Sequence, residues 1–419
     1  MKTTPFSILT AATVGMLLTA VSCNTSNVSP MPDTGTVSEL RVPAPFVDQT
    51  TQFAFDLVQR VNTLEGQAKN IFISPLSLHI ALGMIMNGAN GQTAQEIQKT
   101  LKLDAQTLTE ANATYRNLIT NLPAVDSKVT VTLANSVWYR NTFLVENSFQ
   151  DLLKQTFNAE ISAQDFNNPA TVNTINSWAS QKTNGKIPKV IDQIKPENIL
   201  FLLNALYFKG DWTTQFDATK TINAPFKLVS DATTNVRMMR LNTELNRAFR
   251  PTYTAFELPY GADKTSGPAY SMTVLLPAEN TTADALINSL NSTEWTQLQK
   301  DMTKGTMDIG LPKFTLSYEV NLNNTLSAMG MPTAFTDHAD FTKISTQSGL
   351  TLSFVKQNTF VAVDETGTEA AAVTTGGIST TAVQLPILCD RPFVIVIHEK
   401  SSGTVLFVGK IADPTKTSS

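Results

Sequence analysis

The chain has 419 residues, 42% hydrophobic and 16% charged, a composition that can bury a sizeable globular core and argues against disorder outside the ends. Its net charge of −4 is spread without any block of Lys or Arg, so the footprint of a nucleic-acid or anionic-lipid binder is missing. Two cysteines, Cys23 and Cys389, are too few and too far apart for a disulfide framework or a cysteine-based metal site.

At the N-terminus, Lys2 precedes an apolar stretch from Phe6 to Val21 that is too short and too lightly flanked for a typical membrane span and reads as a secretory signal. Its end, Leu18-Thr19-Ala20-Val21-Ser22-Cys23, resembles the lipobox of bacterial lipoproteins. Residues 1–22 are therefore expected to be a signal peptide, with Cys23 lipidated; an ordinary cleaved signal with an incidental cysteine is the alternative. Both readings export the protein, to the cell envelope or the extracellular space, with membrane contact only through the N-terminal lipid. Residues 23–45 are rich in Ser, Thr, Pro and Asn and read as a flexible tether.

A single domain is expected at 46–415. Ala54, Leu57, Val58, Val61 and Leu64 recur at three- and four-residue steps, an apolar helical stripe that Gly66 stops. Ser74-Pro75 is a helix start, with Ser as N-cap and Pro at the first position, leading into Leu76–Met86. Thr93 with Glu96 has the spacing of a capping box. Val129, Val131, Leu133, Asn135 and Val137 alternate with mostly polar neighbours, the pattern of a half-buried strand. From Ile199 to Phe208 only Asn204 is polar, which predicts a central strand covered on both faces. Further strands are expected at Ser271–Leu276, Met307–Lys313, Leu352–Val363, Phe393–His398 and Val405–Ile411, the last two joined as a hairpin around Ser401-Ser402-Gly403. Helices fall mainly early and strands mainly late, without a βαβ rhythm, so the fold class is α+β.

Chemistry is sparse. His79, His338 and His398 sit in no recognisable motif, and Gly-x-Ser-x-Gly, phosphate-loop and dinucleotide patterns do not occur. No catalytic residue, metal ligand or cofactor site is assigned; only a triad assembled in space would make the chain a hydrolase. One segment is unusual: from Gly367 to Leu385 the chain carries a single charge, Glu369, with no aromatic residue and no proline. A linker would carry more charge or proline, and a settled strand larger side chains and fewer glycines. As a strand it would place Thr368, Ala370, Ala372, Thr374, Gly376, Ile378 and Thr380 on one face, all small except Ile378. Such a segment suits a loop in one state and an inserted strand in another.

Asp364-Glu365-Thr366-Gly367-Thr368-Glu369-Ala370-Ala371-Ala372 resembles the proximal hinge of the serpins. Asp390-Arg391-Pro392-Phe393 and Gly403-Thr404-Val405-Leu406-Phe407-Val408-Gly409-Lys410 resemble their C-terminal signature. The stretches Asn70–Ser77, Asn204–Trp212 and Leu311-Pro312-Lys313-Phe314 match as well, so the resemblance covers nearly the whole domain. It implies three β-sheets, eight or nine helices, an exposed reactive loop, a monomer, and inhibition of a serine protease through a covalent acyl complex. It also implies that Ser74, Ser77 and Asn204 belong to the shutter beneath the main sheet and Trp212 to the breach where the loop enters. Gln357 stands where many serpins have a shutter histidine, and its amide can both donate and accept.

Counting from Glu365, the serpin spacing places the scissile bond between Thr381 and Ala382, within a few residues. No Lys or Arg occurs between Lys356 and Arg391, which disfavours a trypsin-like target. Thr381 and Ala382 suit an elastase-like or subtilisin-like enzyme; a shifted register would expose Val383 or Leu385. The competing class is a non-inhibitory serpin acting as a binding or chaperone-like envelope protein, whose hinge is expected to carry bulky, charged or proline residues.

Overall fold

The computed structural model describes residues 39–262, 269–347, 349–368 and 385–417. Its helices are α1 (Ala44–Glu65), α2 (Pro75–Gly88), α3 (Gly91–Thr100), α4 (Leu108–Asn121), α5 (Asn147–Phe157), α6 (Ala170–Lys182), α7 (Ala283–Ser289), α8 (Ser292–Asp301) and α9 (Asn323–Met329). The first strands are β1 (Ile71–Ile73), β2 (Val129–Arg140), β3 (Glu160–Gln164), β4 (Leu200–Asp211), β5 (Ile222–Lys227), β6 (Thr233–Phe249), β7 (Tyr253–Tyr260) and β8 (Tyr270–Pro277). They are followed by β9 (Thr303–Pro312), β10 (Phe314–Asn321), β11 (Lys356–Val363), β12 (Gly367–Thr368), β13 (Ile387–Leu388), β14 (Phe393–Glu399) and β15 (Val405–Ile411).

One sheet has the order β10-β11-β12-β4-β2-β3. A second ladder runs β1-β15-β14-β8-β7-β6-β9-β13, with β5 on β6. That ladder is two sheets joined at one strand: β6 meets β7 only through Arg247, Ala248 and Phe249, and pairs with β9 from Met238 to Arg247. The joint separates β1, β15, β14, β8 and β7 from β5, β6, β9 and β13, which gives the three sheets expected.

Helix α1 follows its stripe, burying Phe53, Ala54, Leu57, Val58 and Val61, and ends at Gly66, whose φ of 81° would strain any other residue. Ser74 caps α2 through Ser77 N, as the Ser-Pro pair predicts, and α2 is buried along its whole length between β4 and β15. The Thr93–Glu96 capping box does not form. Asn90 is the N-cap of α3, while Thr93 Oγ1 accepts from Asp340 N (2.9 Å) and Glu96 takes Thr333 N (2.9 Å). Tertiary partners outbid the local pairing, and the true capping box is Thr107–Glu110 at α4. Strand β11 starts at Lys356 rather than Leu352, because Leu352 N bonds to Ala334 O and Val355 N to Asn323 Oδ1.

The six-stranded sheet carries different cores on its two faces. Leu206 and Phe208 of β4 enter the main core, whereas Phe201, Leu203 and Ala205 pack with Trp138, and with Ile175 and Trp178 of α6. The sequence predicts full cover for this strand, which holds from Ala205 to Phe208. Leu200, Leu202 and Asn204 stay half-buried because their face lines a cavity between β4 and β11. Among the described residues no helix is long and apolar enough to cross a membrane, and no cluster of His, Cys, Asp and Glu could hold a metal ion.

Candidate functional site

Strand β11 ends at Val363, and the chain reverses through Asp364-Glu365-Thr366 into β12. The reversal is held by one carboxylate: Asp364 Oδ1 accepts from Thr366 N (2.9 Å), Thr366 Oγ1 (2.6 Å) and Gly367 N (3.3 Å). Asp and Thr at turns commonly bond to backbone two residues on, so this turn is written in the local sequence. Glu365 is anchored outward, its Oε2 accepting from Lys313 Nζ (2.6 Å) and its Oε1 from Thr221 Oγ1 (2.8 Å). Burial opposes its ionisation, but the bonds from Lys313 and Thr221 outweigh that and hold the carboxyl below its usual range.

The short β12 is antiparallel to both neighbours, Thr368 facing Val363 of β11 and Gly210 of β4, and Gly367 facing Asp211. It therefore stands as a wedge between the two strands. Gly367 is obligatory there, since a Cβ would lie 2.2 Å from Gly210 O and 2.6 Å from Asp211 Cα, both backbone atoms.

Trp212 closes the top of the wedge. Its backbone N donates to Thr366 O (2.8 Å), its Nε1 donates to Asp364 O (2.9 Å), and its ring stacks on Tyr260 with centroids 4.5 Å apart. Tyr260, fully buried, shares a 2.6 Å hydrogen bond with Thr368 Oγ1. Burial, only partly offset by that bond, pushes the phenol well above its ordinary range, so the hydroxyl keeps its proton. Sequence reasoning missed Tyr260: it lies 108 positions from Thr368, and nothing local marks it as a hinge contact.

Beneath the middle of the sheet, Ser74, Ser77, Asn204 and Gln357 come together. Ser77 Oγ bonds to Asn204 Oδ1, Asn204 Nδ2 donates to Asn135 Oδ1, and Asn135 Nδ2 donates to Phe157 O (2.7 Å). Ser74 Oγ donates to Leu406 O (2.9 Å), tying the start of α2 to β15. Gln357 clamps the same residue, accepting from Ser74 N (2.9 Å) and donating to Ser74 O (2.8 Å). A neutral amide thus uses both its functions on one backbone unit, which a single imidazole nitrogen cannot do.

The cavity between β4 and β11, about 40 Å³, is lined by Ser77, Leu202, Asn204, Val355 and Gln357 among others. It is large enough for a water or two but too small for a side chain of any size. Both strands are fully described, and among the described residues the only strand laddered to β4 on this side is β12. The structure therefore brings Glu365, Gly367, Thr368 and Trp212 together at one end of this gap and Ser74, Ser77 and Asn204 at its middle. Cys23, Glu369, Ala370, Ala371, Ala372, Thr381 and Ala382 lie outside the described residues.

The family model described as Serpin (serine protease inhibitor) matches residues 48–414. Human Serpin B3 is 32% identical over 393 residues, covering 88% of this chain and 99% of that protein. The native state of tengpin, a thermophilic serpin, aligns with a TM-score of 0.81 and 30% identity, over 90% of this chain and 96% of its own. Human thyroxine-binding globulin complexed with thyroxine also gives a TM-score of 0.81, at 28% identity, over 89% and 99%. The family is generally one of protease inhibitors rather than enzymes, although it also contains non-inhibitory members such as that thyroxine-binding globulin. The chain belongs to the serpin family.

Proposed function

We propose that this serpin is an exported suicide inhibitor of a serine protease with an elastase-like or subtilisin-like pocket, tethered through a lipid on Cys23. The protease would cut at or near Thr381–Ala382 and become an acyl-enzyme. The freed strand then enters between β4 and β11 before water releases the enzyme, a case of strand addition coupled to a switch.

The observation that carries the reading is the wedge of Gly367 and Thr368, already between the two strands that must part. Continuing its register would set Ala370 between Phe208 and Val361, Ala372 between Leu206 and Thr359, and Thr374 between Asn204 and Gln357. Thr368 shares the main-core face of Gly210, so the same face would receive Ala370, Ala372, Thr374 and Gly376, all small enough to slide past their neighbours. A carrier that never inserts its loop has no need of that pattern. Extended at about 3.3 Å per residue, Thr368 through Thr381 span roughly 46 Å, enough to drag an attached protease across the molecule.

The test is incubation with an elastase-type enzyme followed by denaturing electrophoresis. A band of the summed mass is expected; clean digestion with no such band overturns the proposal. Mass spectrometry of the released C-terminal peptide then fixes the scissile bond, and incorporation of a palmitate analogue into the wild-type chain but not into Cys23→Ala tests the lipid.

A further inference from the structure

Tyr260 belongs to β7, outside the sheet that opens, yet it contacts three components of the hinge at once. Its hydroxyl meets Thr368 Oγ1 at 2.6 Å, its ring lies flat on Trp212, and a Cβ added to Gly210 would come within 3.0 Å of that ring. Thr368 is 3% exposed and Tyr260 0%, so neither hydroxyl can substitute water for the other. Trp212 in turn bonds to the carbonyls of Asp364 and Thr366, the two residues that form the reversal. The hydroxyl pair is therefore a fixed point from which β12 is held in the gap.

We infer that Tyr260 is a positioning residue that seats Thr368 in the uncut molecule, so that loop insertion starts from a rung already formed. This inference rests on the inhibitory reading for its consequence but not for its existence. The first rung is the costly one, because it must thread Gly367 past Gly210 O with no slack and order the chain before any later bond compensates. With Thr368 seated, the cut strand extends an existing ladder instead of nucleating one. The race between insertion and hydrolysis of the acyl-enzyme then favours the trap. Without the seat, the same cleavage yields more released protease.

The test uses Tyr260→Phe, which keeps the ring and its stack on Trp212, Thr368→Val, which removes the other hydroxyl, and the double variant. Leaving one buried hydroxyl unpaired should speed amide exchange of the Asp364–Thr368 segment in the uncut full chain about tenfold in each single variant. Removing both hydroxyls should return it only part of the way to wild type, because nothing is then left unpaired but the bond that seats Thr368 is gone. Against an elastase-type protease, each single variant should consume several times more inhibitor per trapped enzyme at an unchanged association rate, with the double variant between the single variants and wild type. A purely structural role would instead lower the melting temperature without this reciprocal rescue. Unchanged exchange in both single variants, or a double variant no better than either, overturns the inference. A wild-type chain that traps no protease removes the inhibitory reading, while the exchange result still upholds or overturns the seat.

Discussion

Gln357 shows how a single side chain can carry a network. Its two bonds pair both backbone polar groups of Ser74 at the start of α2, the carbonyl being shared with Leu78 N. Gln357→Leu should therefore destabilise the uncut protein by about 1–3 kcal/mol, because it strands the buried Ser74 N–H, while the Ser74 carbonyl still accepts from Leu78 N. Urea unfolding measures this, and a loss under about 1 kcal/mol would mean that the clamp is incidental. The amide does not titrate, so acid sensitivity should come from elsewhere. His79 is the clearest source: fully buried, it accepts from Tyr115 at Nδ1 (2.9 Å) and donates from Nε2 to Leu101 O (3.1 Å). Burial, partly countered by the Leu101 carbonyl, lowers its pKa to about 4. Below pH 6.5 the unfolded chain takes up a proton that the native one refuses. Stability is thus complete above that pH and falls by about 3 kcal/mol on the way to pH 4. His79→Gln keeps both bonds without the titration and should flatten that part of the pH profile; an unchanged profile would contradict the assignment.

At the scale of elements, the decisive pieces are the strands beside the gap and the hinge between them. Arg at position 374 would bury a cation between Asn204 and Gln357 if insertion follows the wedge's register, so Thr374→Arg should turn an inhibitor into a substrate. The same outcome is expected of Thr368→Arg at the first rung. Electrophoresis with the protease should show cleaved serpin replacing the complex, and a full-strength complex in Thr374→Arg would mean that the strand enters in another register. The sequence made the start of α2 legible through Ser74-Pro75, whereas the reversal that Asp364, Thr366 and Gly367 build was visible there only as a stretch resembling the serpin hinge. It misled at Thr93–Glu96, where residues 333–340 supply stronger partners than the helix itself. It was silent on Tyr260 and overstated the cover at the Leu200–Asn204 end of β4, because both depend on which distant strands lie alongside, and a one-dimensional pattern does not encode that.

For the whole molecule, inhibition by loop insertion requires a protein stored short of its most stable state. If most inserted residues gain a ladder bond at about 1 kcal/mol net, completing the sheet releases on the order of 10 kcal/mol, comparable to the stability of an entire domain. The uncut form then persists through a kinetic barrier. If the loop inserts as proposed, the clamps at Ser74 and Trp212 lie where that barrier would be crossed. The most direct measurement is the thermal melting of the chain before and after a single cut in the segment between Thr368 and Leu385. Insertion predicts that the clipped protein melts at least about 10 °C higher than the intact one. A clipped protein that melts at the same temperature or lower would contradict the central claim.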